Sequence, residues 1–188
     1  MKTMLRVSLA FALGGAPALV AQQPAAAPAP AIPAVVDSAD VKTVDGIMRA
    51  IYAVISGDSG VRRDWDRFRS LFAPGARLIP TGPRGQGRYG IRMLTPDEYA
   101  TLAGPNLERT GFHERELARR TESYGPITHL FSSYDSKRRA SDPAPFARGI
   151  NSFQLYNDGA RWYIVSIHWW NETGETPIPA RYLTTENH

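Results

Sequence analysis

The residues with most chemical capacity are a serine and a histidine set into an aromatic strand, Arg161-Trp162-Tyr163-Ile164-Val165-Ser166-Ile167-His168-Trp169-Trp170-Asn171-Glu172. A polar side chain in such an apolar run needs a hydrogen-bond partner or a ligand. Period-two alternation puts Trp162, Ile164, Ser166, His168 and Trp170 on one face, and Tyr163, Val165, Ile167 and Trp169 on the other. If Asp158-Gly159 is a two-residue turn, Leu155 faces Trp162, Phe153 faces Ile164 and Asn151 faces Ser166. Asn151, Ser166 and His168 then converge over an apolar floor that includes Phe153, which is the composition of a small-molecule site. Trp170 and Trp65 are the aromatic candidates beside it. A three-residue loop with a bulge at Gly159 would shift the pairing by one and dissolve this cluster.

A second group of titratable residues is His113-Glu114-Arg115-Glu116. Charges alternating in this way suit a solvent-facing or pocket-rim strand. The sharper reading makes Glu114 or Glu116 a general base tuned by Arg115 and a nearby histidine. If the protein is an enzyme, His168 and Glu116 are the proton-transfer candidates. Other chemistries lack their residues. The chain has no cysteine and four scattered histidines, with no HxH or HExxH spacing, so neither thiolate chemistry nor a metal site is expected. No G-x-S-x-G or S-x-x-K marks a serine nucleophile. Gly82, Gly85, Gly87 and Gly90 are not followed by GK[ST], so they read as a turn or pocket lid rather than a phosphate loop. No cofactor is implied.

Elements must position these residues, and the chain supplies them after a leader. Lys2 and Arg6, then an apolar run to Ala21, follow the plan of a secretory signal over residues 1–21. The run is broken by Gly14-Gly15 and Pro17 and is short for a membrane span. Residues 22–36 form an Ala/Pro tract that reads as a semi-extended linker. A domain over residues 37–188 then remains, exported to a periplasm or medium. The formal charge of +4 falls to about +2 without Lys2 and Arg6, and the basic pairs lie near acidic residues. Nucleic acid is therefore not an expected partner.

Val41, Val44, Met48, Ile51 and Ile55 predict an amphipathic helix over 38–56, with Gly46 inside it at a cost of about 1 kcal/mol. Asp64 caps a shorter helix reaching Phe72. Thr95, Pro96 and Glu98 form a capping-box start for a third, whose buried stripe is Tyr99, Leu102 and Ala103. A short strand is expected at 76–79. Four longer strands are expected at 112–124, 127–137, 147–156 and 161–171. Three helices laid on a curved antiparallel sheet make an α+β fold.

This layout, with Gly111-Phe112-His113-Glu114-Arg115-Glu116, Tyr124-Gly125-Pro126-Ile127-Thr128-His129, Arg148-Gly149-Ile150-Asn151-Ser152 and Asp158-Gly159-Ala160-Arg161-Trp162-Tyr163-Ile164-Val165-Ser166-Ile167, resembles the NTF2-like superfamily. It looks most similar to its exported SnoaL-like and DUF4440-like members. The resemblance spans about Asp40 to Leu183. It implies a bent sheet wrapped around the long first helix, with a pocket in the open end of the cone. Members of that superfamily include isomerases, cyclases, dehydratases and domains that only bind. The Asp and Tyr placements of its ketosteroid-isomerase-like branch and the Asp–His pair of its polyketide cyclases are not found here, so the resemblance implies a pocket and not a reaction. The expected function is binding of a small apolar or amphipathic molecule. A proton-transferring cyclase, isomerase or dehydratase and a dimeric interaction module are the alternatives. An outer face of Tyr163, Val165, Ile167 and Trp169 would favour a back-to-back homodimer.

Overall fold

Two helices start where one was expected, because two side chains cap in succession. Asp37 Oδ1 accepts from the Ala39 N–H at 2.9 Å and opens α1 (Ser38–Val41). Thr43 Oγ1 accepts from the Gly46 N–H at 2.9 Å and opens α2 (Val44–Ile55). The computed structural model describes residues 37–184, so the expected signal at 1–21 and linker at 22–36 lie outside the described residues. The break between the helices explains Gly46. A Cβ there would sit 2.5 Å from the Ala39 carbonyl oxygen, so a residue unfavourable within a helix is what lets α1 fold back onto α2.

α2 is buried on most of its circumference, through Ile47, Met48, Ala50, Ile51, Tyr52, Val54 and Ile55. A helix apolar nearly all round belongs inside a fold. α3 (Trp65–Ser70) is capped by Asp64 as the sequence predicts, with Oδ1 accepting from the Arg67 N–H at 2.9 Å. α4 (Pro96–Thr110) has the predicted capping box, Glu98 N–H to Thr95 Oγ1 at 3.1 Å and Thr95 N–H to Glu98 Oε2 at 2.7 Å. Its buried face differs from expectation. Leu102 is 54% exposed, whereas Ala100, Gly104 and Leu107 are buried. Gly104 is the contact point for the Trp65 indole, where a Cβ would come within 2.9 Å of the ring.

The sheet has six strands in the order β2-β1-β6-β5-β4-β3. They are β1 (Phe72–Pro83), β2 (Tyr89–Ile91), β3 (His113–Tyr124), β4 (Ile127–Lys137), β5 (Ala147–Asn157) and β6 (Trp162–Asn171). The fold is the expected α+β cone with two corrections. The described residues carry four α-helices rather than three, and the sheet is mixed, because β1 runs parallel to β6. The segment 76–79 is only the middle of β1, and the glycine run turns β1 back into β2. Inside the cone, α2 packs on Leu130, Phe153, Leu155 and Ile164 from the sheet and on Phe68, Leu71 and Phe72 from the α3 side.

Two one-residue bulges decide which side chains face inward. Pairing of β3 with β4 passes from Glu116↔Tyr134 to Ala118↔Ser133, leaving Leu117 extra. Pairing of β5 with β6 passes from Leu155↔Ile164 to Gln154↔Ser166, leaving Val165 extra. Each extra residue exchanges the two faces beyond it. In β6 the core residues are therefore Ile164 and then Ile167 and Trp169, while Ser166, His168 and Trp170 turn outward. The expected outer patch of Tyr163, Val165, Ile167 and Trp169 does not form, and the homodimer argument loses the face on which it stood. The chain after β6 also crosses the outer face. Ser133 Oγ donates to the Tyr182 carbonyl at 2.6 Å, and the Tyr182 ring meets Phe131 edge-on at 5.0 Å.

The Asp158-Gly159 turn differs too. The last β5–β6 pair is Asn157↔Trp162, so four residues make the loop. Asp158 Oδ1 accepts from the Ala160 and Arg161 N–H groups at 2.8 and 2.9 Å, which stabilises the longer turn. Gly46→Ala provides a test with a sign opposite to helix propensity. It should destabilise the fold by about 1–3 kcal/mol through overpacking against Ala39, although propensity alone would favour Ala by about 1 kcal/mol. Denaturant unfolding measures it.

Candidate functional site

The cone is hollow at one end. A cavity of about 230 Å³ lies between α2, α4 and the inner face of the sheet. Ile51, Ile55, Phe68, Leu78, Leu107, Phe112, Phe153 and Ile167 supply an apolar wall, and Tyr99, Phe146 and Trp169 add aromatic faces. The polar groups in the lining are few: Tyr52, Glu114, Tyr134, Ser136, Asn151 and Asn171.

Glu114 is held there by both ends of its neighbourhood. The end of α2 is stitched to the start of β3 by Gly57 N–H to Phe112 O at 2.7 Å and Phe112 N–H to Gly57 O at 3.0 Å. Ser56, the C-cap of α2, accepts from the Glu114 N–H at 3.0 Å and donates to the Tyr52 carbonyl at 2.7 Å. The buried Arg63 guanidinium tightens the same junction, donating to the carbonyls of Ile55 at 2.9 Å and Gly57 at 2.6 Å. With its backbone fixed, Glu114 projects into the cone. Its Oε2 accepts from Ser136 Oγ at 2.8 Å, and Oε1 receives a longer contact from Asn151 Nδ2 at 3.5 Å.

The remaining donors are committed to one another. Ser132 Oγ donates to Glu116 Oε1 at 2.7 Å, which uses its single proton. Tyr52 must then donate to Ser132 across their 2.8 Å contact, and its oxygen accepts from Asn151 Nδ2 at 3.1 Å. Tyr134 donates to Asn171 Oδ1 at 2.6 Å. Glu116 also meets the Arg119 guanidinium at 3.2 Å, and Arg119 bonds Asp45 at 2.8 Å. Glu114 has no such counter-charge among the described residues.

Burial pushes the Glu114 carboxyl up from 4.5 to about 7, and the negative charge of Asp135 adds to the rise. The hydrogen bonds from Ser136 and Asn151 oppose that rise without cancelling it. Burial likewise raises Tyr52, Tyr99 and Tyr134, with Glu114 as the next cause for each. Raised phenols stay neutral near pH 7, so Glu114 is the cavity group that changes charge there. Such a carboxyl can accept a hydrogen bond, donate one, or move a proton at neutral pH.

The sequence-predicted residues separate into two sets. Asn151 and Phe153 lie in the cavity wall. Ser166, His168 and Trp170 do not join them, because the Val165 bulge turns them to the outer face. His168 Nε2 meets Thr81 Oγ1 at 2.7 Å, and Trp170 Nε1 donates to Thr176 Oγ1 at 3.2 Å. Trp65 packs between α3 and α4 with its Nε1 donating to Glu108 Oε1 at 3.0 Å, outside the cavity lining. Glu116 lies beside the cavity, tied to Ser132 and Arg119. Arg115, the expected tuner of the glutamates, is 67% exposed and pairs with Asp135 instead. His113 pairs with Asp58 at 2.8 Å and His129 with Ser152 at 3.1 Å. Tyr52, Tyr134 and Ser136 are lining residues that the sequence reading did not single out. Their signal is present in part: Leu130, Ser132, Tyr134 and Ser136 alternate on one face of β4, as Glu114 and Glu116 do on β3. Among the described residues no group of three or more acidic or histidine side chains is placed to hold a metal ion.

Comparison with solved structures identifies the fold. A protein of unknown function with a cystatin-like fold from Nostoc punctiforme is similar at a TM-score of 0.50, with 12% identity over 67% of this chain and 86% of that one. A candidate calcium/calmodulin dependent protein kinase II association domain from Xanthomonas campestris is similar at 0.51, with 13% identity over 77% of this chain and 94% of the other. An NTF-2 like protein of unknown function from Silicibacter pomeroyi gives 0.48, with 12% identity over 70% and 94%. These likenesses show the fold alone: the chain shares the fold of the two structures matched at 0.50 and 0.51, and its helices on a curved sheet are consistent with the NTF2-like cone. No family model matches the sequence, and no curated protein does.

The raised Glu114 carboxyl has a consequence for stability. In the unfolded chain it ionises near 4.5 and in the folded protein near 7, so the folded state holds the extra proton between those values. Stability then falls as pH rises through that window. The full shift corresponds to at most about 3 kcal/mol, less what water in the cavity screens. Glu114→Gln removes the ionisation. The variant should therefore be more stable than the parent at pH 8 and nearly equal at pH 5, as followed by thermal unfolding.

Proposed function

We propose that the protein binds a small apolar or amphipathic molecule in the cone. The observation that carries this reading is the cavity itself: about 230 Å³, walled by aliphatic and aromatic side chains, with a single titrating carboxyl in its lining at neutral pH. Sites of this composition, a largely apolar wall with a few placed polar groups, are where small molecules bind. The volume lies below the roughly 300–1,000 Å³ of drug-sized pockets, so the ligand is small. An interaction module working through its sheet would gain nothing from a hollow cone, and its outer face is partly covered by residues 172–184.

Proton-transfer catalysis would need a second group of contrasting environment beside Glu114. The cavity tyrosines are all raised by burial and His168 lies on the opposite face, so Glu114 stands as a recognition group rather than half of an acid–base pair. Ala147 lines the cavity across the sheet from Ser136 and gives a clean test. In a thermal-shift screen of small aromatic and alicyclic compounds, a ligand at 100 times its Kd should stabilise the parent by about 2.7 kcal/mol. Ala147→Phe should fold and lose those shifts by filling the space. Shifts of equal size in both proteins would place the binding elsewhere.

A further inference from the structure

We infer that the cavity selects a small protonated amine with an apolar, preferably aromatic, body, the ammonium lying against Glu114 and the body among the aromatic side chains. This rests on the reading of the cone as a ligand site and adds the chemical class of the ligand. A buried carboxylate is costly unless it is paired, and three other partly buried acids among the described residues are paired with cations. Asp40 has Arg67 at 2.6 Å, Asp135 has Arg115 at 2.9 Å and Glu116 has Arg119 at 3.2 Å. Glu114 breaks that pattern while lining the cavity.

On its other side Arg49, Arg115 and Lys137 line a second pocket with Glu114 and none of them makes an ion pair with it, whereas the groups whose charge or hydroxyl bears on its carboxyl are neutral or acidic. They are Tyr52 from α2, Tyr99 from α4, Tyr134 and Asp135 from β4, and Glu116 from its own strand. The cations nearby in sequence are engaged elsewhere. Lys137 Nζ donates to the Asp142 carbonyl at 2.7 Å, and His113 is held by Asp58 at 2.8 Å. Arg138 lies 4.0 Å above the ring of Phe146, a cavity-wall residue, and donates to Thr110 Oγ1 at 2.9 Å. The wall offers a cation more than tolerance. Aromatic faces attract positive charge, and desolvation strengthens that attraction to about 2 kcal/mol or more. An anionic ligand would meet a carboxylate with no compensating cation. A neutral ligand would leave that carboxylate unpaired or protonated.

Isothermal titration of the whole protein with phenethylamine, 2-phenylethanol and phenylacetate separates these cases, since the three share a ring and differ in the charge at one end. At pH 8 phenethylamine should bind about tenfold or more tighter than 2-phenylethanol, the gain expected of one charge-assisted hydrogen bond. Phenylacetate should not bind measurably. Amine affinity should fall as pH drops through 7 because Glu114 takes up a proton, and near pH 7 amine binding should release protons to the buffer. Glu114→Gln should abolish the amine preference, so that phenethylamine no longer binds more tightly than 2-phenylethanol. Equal binding of amine and alcohol, or an amine affinity unchanged in Glu114→Gln, would overturn this inference while leaving the cone a ligand site. Binding of none of the three probes would overturn both readings.

Discussion

The sheet has to curl around α2, and it does so at the cost of regular pairing. Leu117 and Val165 are each an extra residue with no partner across the ladder. These two positions determine the interior. The bulge at Val165 keeps Ile164 inward, then brings Ile167 and Trp169 to the inner face and sends Ser166 and His168 out. The bulge at Leu117 lets Glu114 and Glu116 face the cone while Ala118, two residues past Glu116, is buried under the C-terminal segment on the other side. A regular ladder would place Ala118 inward beside the glutamates. The chemistry of the cavity is therefore a consequence of where the strands lose register.

Two helix starts were legible in the sequence because capping is local, whereas the break made by the equally local caps Asp37 and Thr43 was hidden by a continuous apolar periodicity. Asp64, Thr95 and Glu98 act within three residues of themselves, and their hydrogen bonds occur as their spacing predicts. The strands were legible from alternation, and so was the helix-and-sheet plan. What could not be read depends on contacts distant in sequence. Parallel pairing of β1 with β6 joins Leu78 to Ile167 and has no local signature. A single-residue bulge leaves composition unchanged, so nothing in the run from Trp162 to Asn171 marks Val165 as extra. The four-residue turn had a local cause in Asp158, but the same Asp-Gly pair is also the signal for a two-residue turn. Asn151 and Phe153 lie in the wall. The residue expected to act with Asn151, His168, was lost through the register.

Glu114 was visible as a charge and not as a buried one. Its neighbours in sequence, His113 and Arg115, suggest a solvated strand, and both are indeed tied to acids outside the cavity. The edge position of β3 then matters. Its backbone would face solvent if Ser56 and Gly57 did not bond to it, and the Arg63 guanidinium holds that junction from beneath. A carboxyl in this position is an expense that a glutamine of the same shape would avoid. The cavity is apolar enough to raise its pKa and polar enough, through Ser136 and Asn151, to hold it in one orientation. The proposed ligand site rests on that combination.

The selectivity proposed for the cone depends on the state of that one carboxyl. A direct measurement is a carbon-detected NMR titration of the glutamate side chains, with the Glu114 signal assigned by its absence in a Glu114→Gln sample. A midpoint near 7, well above the 4.5 of an ordinary glutamate, is the expected result. A midpoint near 4.5 would mean that water or a counter-charge reaches the carboxylate, and the cavity would not hold an uncompensated acid.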